Sequence, residues 1–216
     1  MIASLVDRFG RVLTNRHAKG YGPFEARQTA VLVLTPQNDA VIEGGGLAGL
    51  CEVPIDRQKL SNFLQHCRDR EWAIYHSPMS WSDDQLQIPI DTTKHMDALR
   101  KNDLLRKGST GAELAEDLVL EGDHVLPERR GFNAFVGTGL HELLREHQRS
   151  RVIVAGGVAN ADTDSSARMA VEYDFDVTVA KDLVASYSRI DLANTMTITL
   201  PRIVARVMTG HEIHPR

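Results

Sequence analysis

The residues best placed for chemistry lie in one short stretch, VIVAGGVANADTDSSARMA, from Val152 to Ala170. It begins as an apolar run, turns on Gly156 and Gly157, and enters a helix near Asp162. In α/β enzymes that turn commonly holds a reactive group at a helix N-terminus. Here the group is the carboxylate of Asp162, followed by Thr163 and Asp164. Two uses of that carboxylate stand side by side. Asp and Thr at a helix start are capping residues, whose oxygens accept hydrogen bonds from the free N–H groups of the first turn. Alternatively, Asp162 is an acid or a ligand-contacting carboxylate.

The elements that must position it can be read from the flanking pattern. Ala30 to Leu34 is a continuous apolar run, as expected of a strand buried on both faces. PIDRQKLSNFLQHCRDR reads as a helix with Pro54 near its start and with Ile55, Leu60, Phe63, Leu64 and Cys67 on one face. Further strands are expected in WAIYHSP, HVLPER, RVIVAGG, FDVTVAKD and RIVARVMTG. Helices are expected in GTGLHELLREHQ, DSSARMAVEYD and RIDLANTMTITL, with one or two short helices within residues 79–123. Strands and helices alternate, which predicts a three-layer α/β/α fold on a mainly parallel sheet. Ligands in such sheets bind beyond the carboxyl ends of the strands. Those ends bring Thr35, Gln37, Asn38 and Asp39 together with His76, with Glu128, Arg129 and Arg130, and with Asn160, Asp162 and Asp164.

The 216 residues suit one substantial core, and a net charge of −4 gives no sign of nucleic-acid binding. No window has the apolar length of a membrane span. Two cysteines, Cys51 and Cys67, make no disulfide framework. The N-terminus lacks the apolar run of a signal peptide, so a cytoplasmic protein is expected. Residues 1–28, polar and broken by Gly20, Gly22 and Pro23, read as an arm preceding a single domain over 29–216.

Several segments, in this order, resemble the isochorismatase-like (cysteine hydrolase) superfamily: AVLVLTPQNDA, RRGFNAFVGTGLHELLREH, VIVAGGVANADTDSSARMAVEYDFDVTVAKDLVAS and LPRIVARVMTGHEI. The resemblance spans about residues 29 to 213 and implies the three-layer α/β/α isochorismatase-like hydrolase fold. It also implies a dimer or tetramer and a small-molecule ligand. The chemistry it implies uses an aspartate after the first strand, a lysine after the third and a cysteine at the signature turn. The thiolate attacks a carbonyl carbon while backbone N–H groups at the turn hold the oxyanion. In this chain the three matching positions carry Thr35, Arg129 and Asp162.

All three changes act against the thiol mechanism. A threonine hydroxyl is no general base near neutral pH. Arginine keeps the cation but releases no proton. A carboxylate is a far poorer nucleophile than a thiolate, although a helix N-terminus and a neighbouring arginine both favour it. An Arg129–Asp162 ion pair is therefore expected. Cys51 and Cys67 read as buried or incidental thiols. The expected ligand contacts are Gln37, His76, Trp81, Phe135 and Ala161, with Trp81 and Phe135 as pocket walls. Asp39 reads as structural. No metal is expected, because His76 lacks a second well-spaced histidine; no cofactor is expected either. Three functions follow: a member without cysteine-hydrolase activity that keeps a small-molecule pocket; an active hydrolase using Asp162 and Arg129 on a carbonyl or vinyl-ether substrate; or a scaffold or oligomerisation protein. An open pocket lined by Arg129 would favour a ligand, and one filled by side chains would favour the scaffold.

Overall fold

The computed structural model describes residues 24–83 and 93–213. Six strands form the sheet: β1 (Thr29–Leu34), β2 (Ala73–Ser77), β3 (His124–Val125), β4 (Arg151–Gly156), β5 (Asp176–Ala180) and β6 (Arg206–Met208). Every neighbouring pair is parallel, in the order β3-β2-β1-β4-β5-β6. Among the described residues five α-helices of six or more residues accompany it: α1 (Arg57–Asp69), α2 (Lys94–Lys101), α3 (Leu140–Glu146), α4 (Asp164–Glu172) and α5 (Arg189–Asn194). No helix among the described residues is long and apolar enough to cross a membrane.

Alternation along the strands divides the core in two. Val31 and Val33 of β1, Ile74 of β2 and Ile153 of β4 join Leu60, Phe63, Leu64 and Cys67 of α1 and Met96 and Leu99 of α2. Ala30, Leu32, Leu34, Tyr75, Val152 and Val154 face the other way, onto Leu140, Leu144, Ala167 and Ala170 of α3 and α4. Burial on both faces is why β1 reads as an unbroken apolar run rather than an alternating one.

Helix α1 starts after Pro54, with Asp56 accepting from the Lys59 N–H at 2.9 Å. The segment RIDLANTMTITL is helical but changes pitch. Its α-helix ends at Asn194, a π-turn covers Thr195–Thr199, and a 3₁₀ turn covers Leu200–Arg202. β-Branched threonines crowd an α-helix, and Pro201 has no N–H to continue it. Of the expected arm, residues 1–23 lie outside the described residues. Phe24 packs against Trp72 at 5.5 Å and under the Arg206 guanidinium at 4.7 Å, so the arm's end is fastened to the body.

The sheet order reverses direction between β1 and β4. The connections from the strands on either side leave in opposite directions there, which opens a crevice at the carboxyl ends. Leu34, the last residue of β1, pairs with Gly156, the last of β4. Thr35 and the Gly156–Asp162 turn therefore meet at this switch point.

Candidate functional site

Three chain segments converge on the crevice. Thr35 follows β1 with φ of 51°, a left-handed conformation that is costly for a β-branched residue. It is held by its N–H on the Ser77 carbonyl at 3.0 Å. Arg129 comes from the chain beyond β3. Its N–H donates to the Pro78 carbonyl and its carbonyl accepts from Ser80, extending the β2–β3 pairing. Asp162 lies in the turn after β4, a π-helical turn over Ala159–Thr163 kinked at Asn160. Such π-bulges recur at functional sites.

The turn depends on its two glycines. Gly156 and Gly157 have φ of 75° and 69°. A Cβ on Gly156 would lie 2.3 Å from the Leu34 carbonyl oxygen of β1. A Cβ on Gly157 would lie 2.6 Å from each carboxylate oxygen of Asp162. The missing side chain is what lets the carboxylate pack onto the backbone.

Thr35, Arg129 and Asp162 form a closed triangle. Arg129 Nη2 donates to Asp162 Oδ2 at 2.7 Å and to Thr35 Oγ1 at 2.7 Å, while the Thr35 hydroxyl donates to the same Asp162 Oδ2 at 2.9 Å. Asp162 Oδ1 accepts the Val158 N–H at 2.5 Å. Arg129 also donates from Nε to Ser77 Oγ at 3.2 Å and from Nη1 to the Gly131 carbonyl at 2.6 Å. The paired side chains are 1% and 5% exposed, so water screens the ion pair little. Burial pushes the Arg129 guanidinium down from its usual range, and Asp162 opposes that push.

Asp162 does cap, but not as the sequence suggests. Its carboxylate reaches back to Val158, the residue that begins the π-turn, in the manner of the returning arm of a capping box. Helix α4 itself has no side-chain cap, and Thr163 instead donates to the Gly156 carbonyl at 2.9 Å.

Beside the triangle lies a cavity of about 10 Å³, room for no more than one water. Thr35, Cys51, His95, Gly157 and Asp162 are among its walls. None of the five expected ligand contacts lines it, and their bonding explains why. The fully buried Gln37 amide donates to the Met79 and Ala112 carbonyls at 2.7 and 2.8 Å and accepts the Met79 N–H at 2.7 Å, which ties loops together. His76 is turned to the α1 side, where it meets Asp123 at 2.9 Å, itself paired with Arg68 at 2.6 Å. Trp81 is buried with its indole N–H on the Leu104 carbonyl, and Arg106 covers its ring. Phe135 lies in the opposite core layer with Tyr173 and Phe175. Ala161 packs against the α1-side core layer, and its N–H is taken by the Val158 carbonyl at 3.0 Å. Asp39 is structural, accepting the Leu105 N–H at 2.8 Å.

Three residues that the sequence did not assign to the site stand at or beside it. Cys51, read as incidental, faces the cavity; burial first, then the Asp162 charge, push its thiol up to about 11. His95, from α2, lines the cavity too, and burial lowers its imidazole, with Asp162 raising it and Arg129 lowering it. Tyr187 is bonded to His95 Nδ1 at 2.7 Å. Cys51 follows a glycine-rich loop and His95 a segment without periodicity, so no local signal marked either.

An isochorismatase domain model matches residues 29–212. The chain belongs to the isochorismatase family. Among curated relatives, an uncharacterized isochorismatase family protein of Escherichia coli O157:H7 is 26% identical, the match covering 87% of this chain and 95% of that protein. A probable inactive nicotinamidase of Arabidopsis thaliana is 27% identical, over 86% of this chain and 94% of that one. Among solved structures, a cysteine hydrolase from Pseudomonas syringae pv. phaseolicola 1448A shares the fold at a TM-score of 0.73 and 19% identity, covering 91% of this chain and 96% of that one. The six-stranded parallel sheet with its helices is thus the isochorismatase-like fold.

Proposed function

We propose that this chain is a non-hydrolytic member of the isochorismatase family, with the crevice at its switch point closed by a structural ion pair. The observation that carries the reading is the commitment of Asp162. Its carboxylate accepts from Arg129, Thr35 and Val158, which uses three of its roughly four lone-pair sites. Thr35 spends its proton on Asp162, and Arg129 has no proton to release. No thiol stands at the turn, and the Ala161 and Thr163 N–H groups there are both bonded to the Val158 carbonyl. The cavity of about 10 Å³ leaves no space for a carbonyl or vinyl-ether substrate. That a relative of similar identity is described as a probable inactive nicotinamidase lends further support.

The test is a turnover screen of amides, ureides and isochorismate with the wild type and Asp162→Ala. No turnover above background is expected from either. Turnover by the wild type that disappears in Asp162→Ala would overturn the proposal. A second arm replaces Thr35 by Asp, Arg129 by Lys and Asp162 by Cys together. Amidase activity gained in that variant would show that those three residues keep the natural chain silent.

A further inference from the structure

The cavity beside Asp162 is almost sealed. Of the twelve residues that line it, eleven are buried, and His95 alone is partly exposed. His95 therefore stands between the cavity and solvent. Three contacts hold the ring in place: the Tyr187 hydroxyl on Nδ1 at 2.7 Å, the Tyr187 ring edge at 5.7 Å, and the Phe132 ring edge at 5.1 Å. These partners come from different elements. His95 is on α2, Phe132 follows Arg129 beyond β3, and Tyr187 lies between β5 and α5. Burial lowers the His95 imidazole, with Asp162 raising it and Arg129 lowering it, and burial first, then Cys51 and Asp162, push the Tyr187 hydroxyl up.

We propose that His95 is a gate and Tyr187 its latch, and that their separation opens the cavity beside Asp162 to solvent and to a compact neutral ligand. Neutrality follows from the walls. Ala40, Leu47, Ile55, Met79 and Leu105 are apolar, and the only charge at the site is already matched by Arg129. Among the lining residues His95 is the most exposed, with Cys51 next at 9%, so rotation of the His95 side chain is the route that opens the cavity to solvent. The inference rests on the closed, silent site described above and adds the means by which that site opens.

The chain carries its own reporter. Cys51 lines the cavity at 9% exposure and Cys67, on α1, is fully buried, so a change in the Cys51 rate alone, measured against wild type, distinguishes gate opening from unfolding. Both are labelled with iodoacetamide in the full native chain at one fixed pH, and each rate is read by peptide mass spectrometry. Tyr187→Phe removes the latch hydroxyl while keeping the ring. It should speed Cys51 labelling by roughly 2- to 13-fold, the range for loss of one neutral hydrogen bond, with Cys67 unchanged. His95→Ala removes the gate itself and should speed Cys51 further. Unchanged Cys51 rates in both variants would overturn the gate, as would a parallel rise in Cys51 and Cys67. Turnover that depends on Asp162, alongside the expected labelling, would refute the silent-site reading and leave the gate standing.

Discussion

Replacing Asp162 by Asn is the sharpest test of the ion pair, because shape is kept and charge is lost. The amide can turn its oxygen toward Val158 or toward Arg129 and Thr35, but not both. In either pose an NH₂ donor meets an N–H or O–H donor, and the buried guanidinium has no counter-charge. Breaking a buried pair on one side costs about 3–5 kcal/mol. For a chain of this length each kcal/mol moves Tm by about 2–4 °C, so Asp162→Asn should lower Tm by about 6–20 °C. Arg129→Met leaves Asp162 with two donors and a carboxyl that can take up a proton, and should cost less. The double variant removes both charges together with their desolvation. It should lie well short of the sum of the single losses, with a coupling of at least about 2 kcal/mol, within the range known for contacting residues. Urea unfolding of the four proteins at pH 7 measures the cycle. Single losses below about 1 kcal/mol, or additivity within about 0.5 kcal/mol, would refute the structural role given to the pair.

Gly156→Ala should destabilise by at least about 2 kcal/mol in urea, combining a left-handed penalty with overlap on Leu34, whereas Gly49→Ala, with nothing within 4 Å of the new Cβ, should be neutral or stabilising. Burial pushes the Asp123 carboxyl up, but hydrogen bonds from His76, Arg68 and the Leu120 N–H outweigh it and hold the group well below the usual carboxylate range. A folded value below the unfolded one, about 3.9, means this stabilisation is present above that pH and lost as pH falls through the folded value. Asp123→Asn should therefore be destabilised at pH 7, with the gap to wild type narrowing below about pH 4 when urea midpoints are compared. His95 is lowered chiefly by burial, so the unfolded chain binds its proton first and stability falls as pH drops below about 6.5. His95→Gln should flatten that part of the pH–stability profile, and an unchanged slope would show that another group causes it.

Local pattern was enough for the elements. An apolar run of Val and Leu, helical spacing along α1 and the glycines at 156 and 157 each encode a conformation within a few residues. Their alternation implies the layers, and the layers imply that ligands would sit at strand ends. The chemistry available at 35, 129 and 162 was legible too, because residue identity alone says what a hydroxyl, a guanidinium or a carboxylate can do. That Arg129 and Asp162 pair was a deduction from charge, and the buried contact at 2.7 Å matches it.

The direction in which each side chain points was not legible. Gln37, His76, Trp81, Phe135 and Ala161 all lie near strand ends or turns, yet each is turned into a loop tie or a core layer by contacts with residues distant in the chain. Asp162 was ambiguous between cap and site because the kink at Asn160, which aims its carboxylate back at Val158, leaves no mark in the residue types. Cys51 and His95 reach one cavity from separate segments, Tyr187 meets His95 from a third, and no spacing rule links them. The sequence by itself determined the layers, the turn and the carboxylate that stands on it, because those depend on local pattern and residue identity. Only the tertiary structure decided that Thr35, Arg129 and Asp162 meet beside a cavity of about 10 Å³ and that His95 is the most exposed residue lining it, because enclosure is a property of packing among segments far apart in the chain.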